Sequence, residues 1–163
     1  MSLAPIRAAI VARLNSVADI GVVHAYERYA SDLARLKVLY FSAPHNGVRG
    51  WFVRRLVTAE TNNVQGRTIE LVRWRIAGVM SFDDAAASEL AFDDLIEGVR
   101  NAFAQDQTLA GTVDECVVPD SIGTGTGESG IQVDDNGPAM FAGVLCHACR
   151  LGLNTVRYLE RSA

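Results

Sequence analysis

A Cys-x-x-Cys spacing near the end of the chain is the clearest arrangement of side chains that could bind a metal or exchange electrons. The motif is CHAC at residues 146–149. A redox pair is placed at the start of a helix, whose dipole lowers the pKa of a thiol, and a structural zinc site takes four ligands, usually from two such pairs. This motif instead lies in an apolar, strand-like run, where side-chain alternation sends Cys146 and Cys149 to opposite faces. We therefore predict buried structural thiols, together with Cys116, and no metal or cofactor.

A glycine-rich run resembles a nucleotide-binding fingerprint in spacing alone. Gly125, Gly127 and Gly130 match G-x-G-x-x-G. That fingerprint works only when a helix begins at its end and receives the phosphates. The residues at 131–138, IQVDDNGP, do not favour the start of a helix, and their two aspartates would repel phosphate. We predict a flexible loop at about 120–138 that becomes ordered on contact with a partner, and no bound nucleotide.

Other catalytic arrangements lack a local signature. The chain has no G-x-S-x-G elbow for a serine nucleophile. Acids are concentrated in the segment 83–97, where helical spacing would bring some of them to one face, but no histidine at helical spacing completes a metal site. We predict a solvated or partner-facing acidic helix surface. The sequence thus predicts that the protein is not an enzyme.

Four arginines lie on two predicted central strands of an otherwise acidic chain. One interpretation is that they form ion pairs at the surface of their own chain. The other is an assembly interface, where arginine is enriched, with the arginines of one copy meeting the acidic helix of the next. The candidate subunit-interface residues are Arg54, Arg55, Arg73, Arg75, Asp93 and Glu97.

Composition indicates a single globular domain over residues 1–163. The chain is 49% apolar and 21% charged, with a net charge of −4. It is long enough and apolar enough to bury a core, and its charge argues against binding nucleic acid by neutralising phosphates. No run reaches the roughly 18 apolar residues of a membrane span. An odd number of cysteines predicts a reducing compartment of the bacterial cytoplasmic type.

Apolar periodicity predicts three helices, at about 5–17, 31–41 and 82–104. Ile6, Ile10 and Leu14 recur at a spacing of four, which forms one buried stripe. Ser31 or Asp32 can cap the second helix, and the acids at 83 and 84 favour the positive end of the third helix.

Alternation and β-branched content predict four strands. Residues 51–59 and 67–80 form a hairpin, and 112–119 and 139–159 are further strands; a short extended piece is possible at 22–29. We therefore expect an α+β fold with a mostly antiparallel four-stranded sheet and helices packed on one face.

The order of these elements resembles a known family. An N-terminal amphipathic helix precedes a strand pair with an alternating run at 72–78, followed by FDDLIEGVRNAF at 92–103, DQTLAGTV at 106–113, a loop and a terminal strand. This is similar to the tail terminator proteins of long-tailed bacteriophages, the class of the lambda minor tail protein U, including those of prophages and gene transfer agents. The resemblance covers most of the chain, with extra length at about 31–50 and 120–138, and has no invariant motif.

The resemblance implies a structural role. Members of this family form hexameric rings that cap the tail tube, end its polymerisation and present a surface to the head-completion or neck protein. It implies self-association, tail-tube and neck partners, no cofactor, no specific nucleic-acid binding although DNA passes through the ring, and a place in the virion after assembly in the host cytoplasm. A head–tail connector or tail-completion protein is the alternative of the same class. A small metal- or thiol-dependent enzyme is the alternative of another class.

Overall fold

The first helix has the boundaries that its apolar stripe predicts. The computed structural model describes residues 2–62, 66–117 and 129–160, with Asn62 described by its backbone alone. Helix α1 spans Ala4–Asn15, with a proline in its first turn, and buries Ile6, Ile10 and Leu14. These three residues lie on one side because a spacing of four is close to one helical turn.

The other two helices also follow their predicted segments. Helix α2 spans Leu33–Tyr40, and the Asp32 carboxylate caps it by accepting a hydrogen bond from the Arg35 N–H at 2.8 Å. Helix α3 spans Ser88–Ala104. The predicted start of this helix at 82–84 is instead a short 3-10 turn at Asp84–Ala86. Ala87 separates turn and helix because its backbone is left-handed, with φ of 49°.

A six-stranded mixed sheet forms the centre of the molecule. Its spatial order is β1-β3-β4-β6-β5, and β2 also pairs with β3. The short β1 runs parallel to β3, and all the other pairs are antiparallel. The strands are β1 (Val22–His24), β2 (Phe41–Ser42), β3 (Gly47–Asn62), β4 (Arg67–Ser81), β5 (Ile131–Phe141) and β6 (Val144–Glu160).

The α+β class is confirmed, but the four-stranded antiparallel sheet is wrong in three places. Residues 131–138, predicted as loop, belong to β5, an edge strand, where a proline is tolerated because one side makes no ladder hydrogen bonds. The segment predicted as one strand at 139–159 turns at Ala142 and Gly143 between β5 and β6. The described part of the strand predicted at 112–119 makes only isolated bridges, such as Glu115 with Val156. Residues 118–119 of that strand and residues 120–128 of the predicted loop lie outside the described residues.

Helices cover both faces of the sheet, so the prediction of a single covered face is also wrong. Helices α1 and α3 pack on the face that carries Trp51 and Trp74, which we call the helix-covered face. Helix α2 packs on part of the opposite face, against Phe52 and other apolar residues. The close approach of α2 depends on Gly50, since a Cβ there would lie 2.4 Å from Tyr40 Cδ1.

The second half of β3, from residue 54 to residue 61, is exposed to solvent. Strand β1 pairs only with Gly50–Phe52 of β3. The outer edge of β3 from residue 54 onward therefore has no neighbouring strand within the described chain. On the next strand inward, Glu70 is buried and accepts a hydrogen bond from Arg157 Nε at 2.7 Å. This ion pair joins β4 to β6.

Candidate subunit-interface surfaces

The four candidate arginines do not share one face of the sheet. Arg54 and Arg75 lie directly opposite each other on β3 and β4, and Arg73 follows Arg75 by two residues. Alternation places these three on the opposite face, away from α1 and α3. Arg55 instead lies beside Leu3 and the start of α1. The structure thus separates Arg55 from the group with which the sequence placed it.

We define the arginine face as Arg54, Arg73, Arg75 and Arg150 on the part of the opposite face that α2 does not cover. Sequence reasoning missed Arg150. Its place on this face follows from alternation on β6, since its neighbours Cys149 and Leu151 both belong to the core of the helix-covered face.

Two of these arginines form ion pairs within the chain. Arg54 Nη1 lies 3.0 Å from Glu27 Oε2, and Arg73 Nη2 lies 3.3 Å from Asp134 Oδ1. Asp134 occupies the extra position of a bulge in β5, between Val133 and Asp135. The interpretation of intrachain surface pairs therefore holds for Arg54 and Arg73.

Arg73 of β4 and Asp134 of β5 form their ion pair across β6, directly above Gly152, which has no side chain. A Cβ at Gly152 would lie 3.1 Å from Asp134 Oδ2 and 3.5 Å from Arg73 Nη2. A larger residue at 152 would therefore lift this ion pair away from the backbone.

The other two arginines have no acidic partner among the described residues. Arg75 forms no ion pair, and its Nε is buried without a hydrogen-bond partner. Arg54 lies directly opposite it, and like charges in that arrangement repel each other. Arg150 is exposed and forms no ion pair with a described residue, although Asp135 lies opposite it on β5. Four arginines lie here with three acids of the same chain, Glu27, Asp134 and Asp135, so the arginine face keeps a net positive charge.

A cleft of about 320 Å³ opens on this face. One end is basic and also receives the side chains of Glu27 and Asp135; the other end is apolar. Its lining includes Arg54, Arg75, Arg150, Phe52, Met140 and Phe141. The combination suits a ligand that carries an acid next to an apolar group.

The two candidate acids lie on the exposed side of α3, and both have partners in their own chain. Asp93 Oδ1 accepts a hydrogen bond from Asn136 Nδ2 at 2.7 Å. The Glu97 carboxylate accepts from Arg100 Nη1 at 2.8 and 3.0 Å. By contrast, Asp94 makes neither a hydrogen bond nor an ion pair with any described residue. These acids form part of an exposed acidic surface on α3, as the spacing predicted.

The acidic side of α3 and the arginine face lie on opposite sides of the sheet. Phe92 of α3 stacks on Trp51 with ring centroids 6.1 Å apart, which fixes α3 to the helix-covered face. Within one chain the candidate arginines and the candidate acids are therefore not brought together. Contact between the two sets is possible only between copies.

The three cysteines are buried and carry no disulfide. Cys149 belongs to the core of the helix-covered face, whereas alternation on β6 sends Cys146 to the opposite face, as predicted. Burial raises the pKa of Cys149 and of Cys116 to about 12 and also raises the pKa of Cys146. Thiols in such surroundings are poor nucleophiles and poor metal ligands, because both roles require the thiolate.

The structure also brings together two serine–histidine pairs that no local sequence pattern predicted. Ser42 Oγ lies 2.7 Å from His45 Nδ1, and the other ring nitrogen lies 3.2 Å from Asp19 Oδ1. Ser88 Oγ lies 2.8 Å from His147 Nε2. The first set has the residue types of a hydrolase triad, but its ring nitrogens are exchanged, since in a triad Nε2 faces the serine and Nδ1 faces the carboxylate. Only tertiary contacts could reveal either set.

Neither serine has the access that a nucleophile needs. Ser42 is 5% exposed and Ser88 is 7% exposed. In the first set the Asp19 carboxylate is 78% exposed, so water competes for the bond that would orient the imidazole. In the second set Ser88 Oγ also accepts a hydrogen bond from the Asp83 N–H at 2.8 Å, so this hydroxyl joins the turn before α3 to His147 of β6. Both contacts serve to satisfy buried polar groups and to position turns.

Within residues 2–62, 66–117 and 129–160, no group of three or more histidine, cysteine, aspartate or glutamate side chains is placed to hold a metal ion. Over the same residues, none of the helices combines the length and the apolar character needed to cross a bilayer. No protein-family model matches the chain, and a search of curated proteins finds no significant relative.

Proposed function

We propose that this chain is a structural subunit of a ring that caps a bacteriophage tail tube, ends its polymerisation and forms the interface to the head or neck. The observation that carries the proposal is the arginine face, an open part of the sheet whose Arg75 and Arg150 have no acidic partner in their own described chain. A surface of this kind is suited to contact with another protein.

The open edge of β3 supports the same role. Leu56 and Val57 are 36% and 55% exposed on a strand segment that no other described strand covers. Exposed apolar residues along an unpaired strand edge favour association with a further chain. A single chain in solution would leave both this edge and the arginine face in contact with water.

The proposed ring requires unlike surfaces that meet from copy to copy. Head-to-tail contacts of this kind form a closed ring when the rotation between copies closes. The partners in this proposal are further copies of the chain, the tail-tube protein and the head or neck protein. Assembly takes place in the bacterial cytoplasm, and the product is part of the virion. DNA passes through the ring without sequence-specific contacts, and no cofactor takes part.

The test is the oligomeric state of the purified chain, alone and with the tail-tube protein of the same particle. Size-exclusion chromatography with light scattering should show a closed oligomer, and negative-stain images should show rings that bind to tube ends. Tube length should stop increasing when the chain is added. A chain that stays monomeric in the presence of tail-tube protein would refute the proposal. Rings found between head and neck, with no effect on tube length, would assign it to the connector class.

A further inference from the structure

The cleft on the arginine face has two unlike ends that together describe its occupant. At the basic end, Arg75 has a buried and unpartnered Nε, and Arg150 has no ion-pair partner in the described chain. At the apolar end, Met140 is 66% exposed beside Phe141. An occupant that neutralises one end and covers the other must present carboxylates next to an apolar side chain.

The outward face of α3 has this composition. Leu90 is 67% exposed, which is unusual for a leucine on a helix that packs well along its other side. Asp94 and Glu97 follow it at i+4 and i+7, so the three lie along one stripe. Amphipathic helices bind grooves through side chains at this spacing.

We propose that the cleft of one copy receives the outward face of α3 from the next copy, with Leu90 at the apolar end and Asp94 and Glu97 near Arg75 and Arg150. This inference rests on the proposed assembly function and names its contact. The sheet separates cleft and helix within each chain, so the contact is necessarily head-to-tail. It also supplies anions to the two arginines that lack them.

Reciprocal charge reversal tests the contact. The cleft variant is Arg75→Glu with Arg150→Glu, and the helix variant is Asp94→Lys with Glu97→Lys. Each alone brings like charges together and should weaken self-association by tenfold or more, on the order expected for close interfacial charges. Light scattering over a concentration series measures this loss. Far-UV circular dichroism and thermal midpoints must show that both variants remain folded.

Mixing the two variants is the decisive step. In a 1:1 mixture the basic helix of one variant meets the acidic cleft of the other, and the remaining acidic helix meets the unaltered basic cleft. Association should return to near the wild-type level. The matched control is Arg35→Glu with Lys37→Glu, which reverses two exposed charges on α2 that do not line the cleft and should leave association unchanged.

The possible failures are distinguishable. If wild-type rings form and the folded variants form them equally well, or if mixing restores nothing, this contact is wrong while the proposed function stands. If the cleft variant loses self-association while the helix variant associates normally, a surface of the neighbouring copy other than α3 contacts the cleft, and this inference is refuted. If the wild-type chain stays monomeric with the tail-tube protein, both the contact and the proposed function are refuted.

Discussion

Replacing Gly78 by alanine should destabilise the fold by crowding one ring. A Cβ at this position would lie 2.5 Å from Trp51 Cζ3 and 2.7 Å from Cε3 and Cη2. Ordinary carbon contacts are about 3.5–4.0 Å, so the ring must move by about 1 Å. The Trp51 side chain is 0% exposed, and its indole N–H donates to the Ile20 carbonyl at 2.9 Å. The ring therefore cannot move freely.

The magnitude follows from three effects. Overpacking a core costs about 1–3 kcal/mol, and weakening the buried indole hydrogen bond adds about 1 kcal/mol. Alanine in a strand recovers about 0.5–1 kcal/mol relative to glycine. The net loss in the free energy of unfolding should be about 1–3 kcal/mol, which lowers the thermal midpoint by about 3–10 °C for a chain of this size.

Urea unfolding followed by circular dichroism measures this loss, with Gly137→Ala as the matched control. Gly137 also lies in a strand, and a Cβ there meets nothing within 4 Å. In a double-mutant cycle, Trp51→Phe should relieve part of the cost, because the clash involves the six-membered ring of the indole. The reasoning would be refuted if Gly78→Ala and Gly137→Ala unfolded within 0.5 kcal/mol of each other, a difference of about measurement size.

Three further outcomes are expected. Arg157→Leu should lower the free energy of unfolding in urea by about 3–5 kcal/mol, because it leaves Glu70 buried without its partner. Replacing both residues by leucine should cost much less, and an equal loss in both variants would contradict this. Hydrogen bonds lower the pKa of the Asp106 carboxyl from 3.8 to about 2; the largest contribution comes from the Ala110 N–H, and Thr108 and Arg13 contribute less. The stability from these bonds is present above pH 4 and is lost as the pH falls towards 2, so the difference between wild type and Asp106→Asn should shrink over that window; a constant difference would be inconsistent. At pH 8 the buried thiols should resist a thiol-reactive dye in the folded chain and all three should react in guanidinium, whereas rapid reaction of the folded chain would show an accessible cysteine.

Alkylation also separates the proposed function from a thiol-dependent enzyme. All three cysteines are buried, so mild alkylation should leave the thiols of the folded chain unmodified and its assembly unchanged. Loss of a measured activity on mild alkylation, with the fold intact, would favour the enzyme. The buried Ser42–His45 and Ser88–His147 contacts should likewise be unreactive towards a fluorophosphonate probe.

Locally encoded elements could be predicted from the sequence. The stripe of Ile6, Ile10 and Leu14 identifies α1, and the alternation along 67–80 identifies β4 and the face of Trp74. These patterns can be recognised because helix and strand periods are properties of a few consecutive residues. The acidic, exposed side of α3 follows from the same periodicity.

Pairing decided the elements that sequence reasoning missed. Residues 131–138 contain two acids, a glycine and a proline, a composition typical of a loop. They form a strand because β6 pairs with them along one side, interrupted only by the bulge at Asp134. The short extended piece expected at 22–29 forms a strand only at β1, and its parallel pairing depends on a partner more than 20 residues away, Gly50–Phe52. Residue type alone carries no information about such a partner.

The candidate surfaces show the same division. The presence of arginines on the central strands and acids on one helix was determined by the sequence alone. Only the tertiary structure decided that Arg55 lies apart from Arg54, that the bulge in β5 brings Asp134 to Arg73, and that Arg75 is left without an acid. The physical reason is that side-chain partners depend on register between strands distant in sequence, and a one-residue bulge changes which face a side chain reaches.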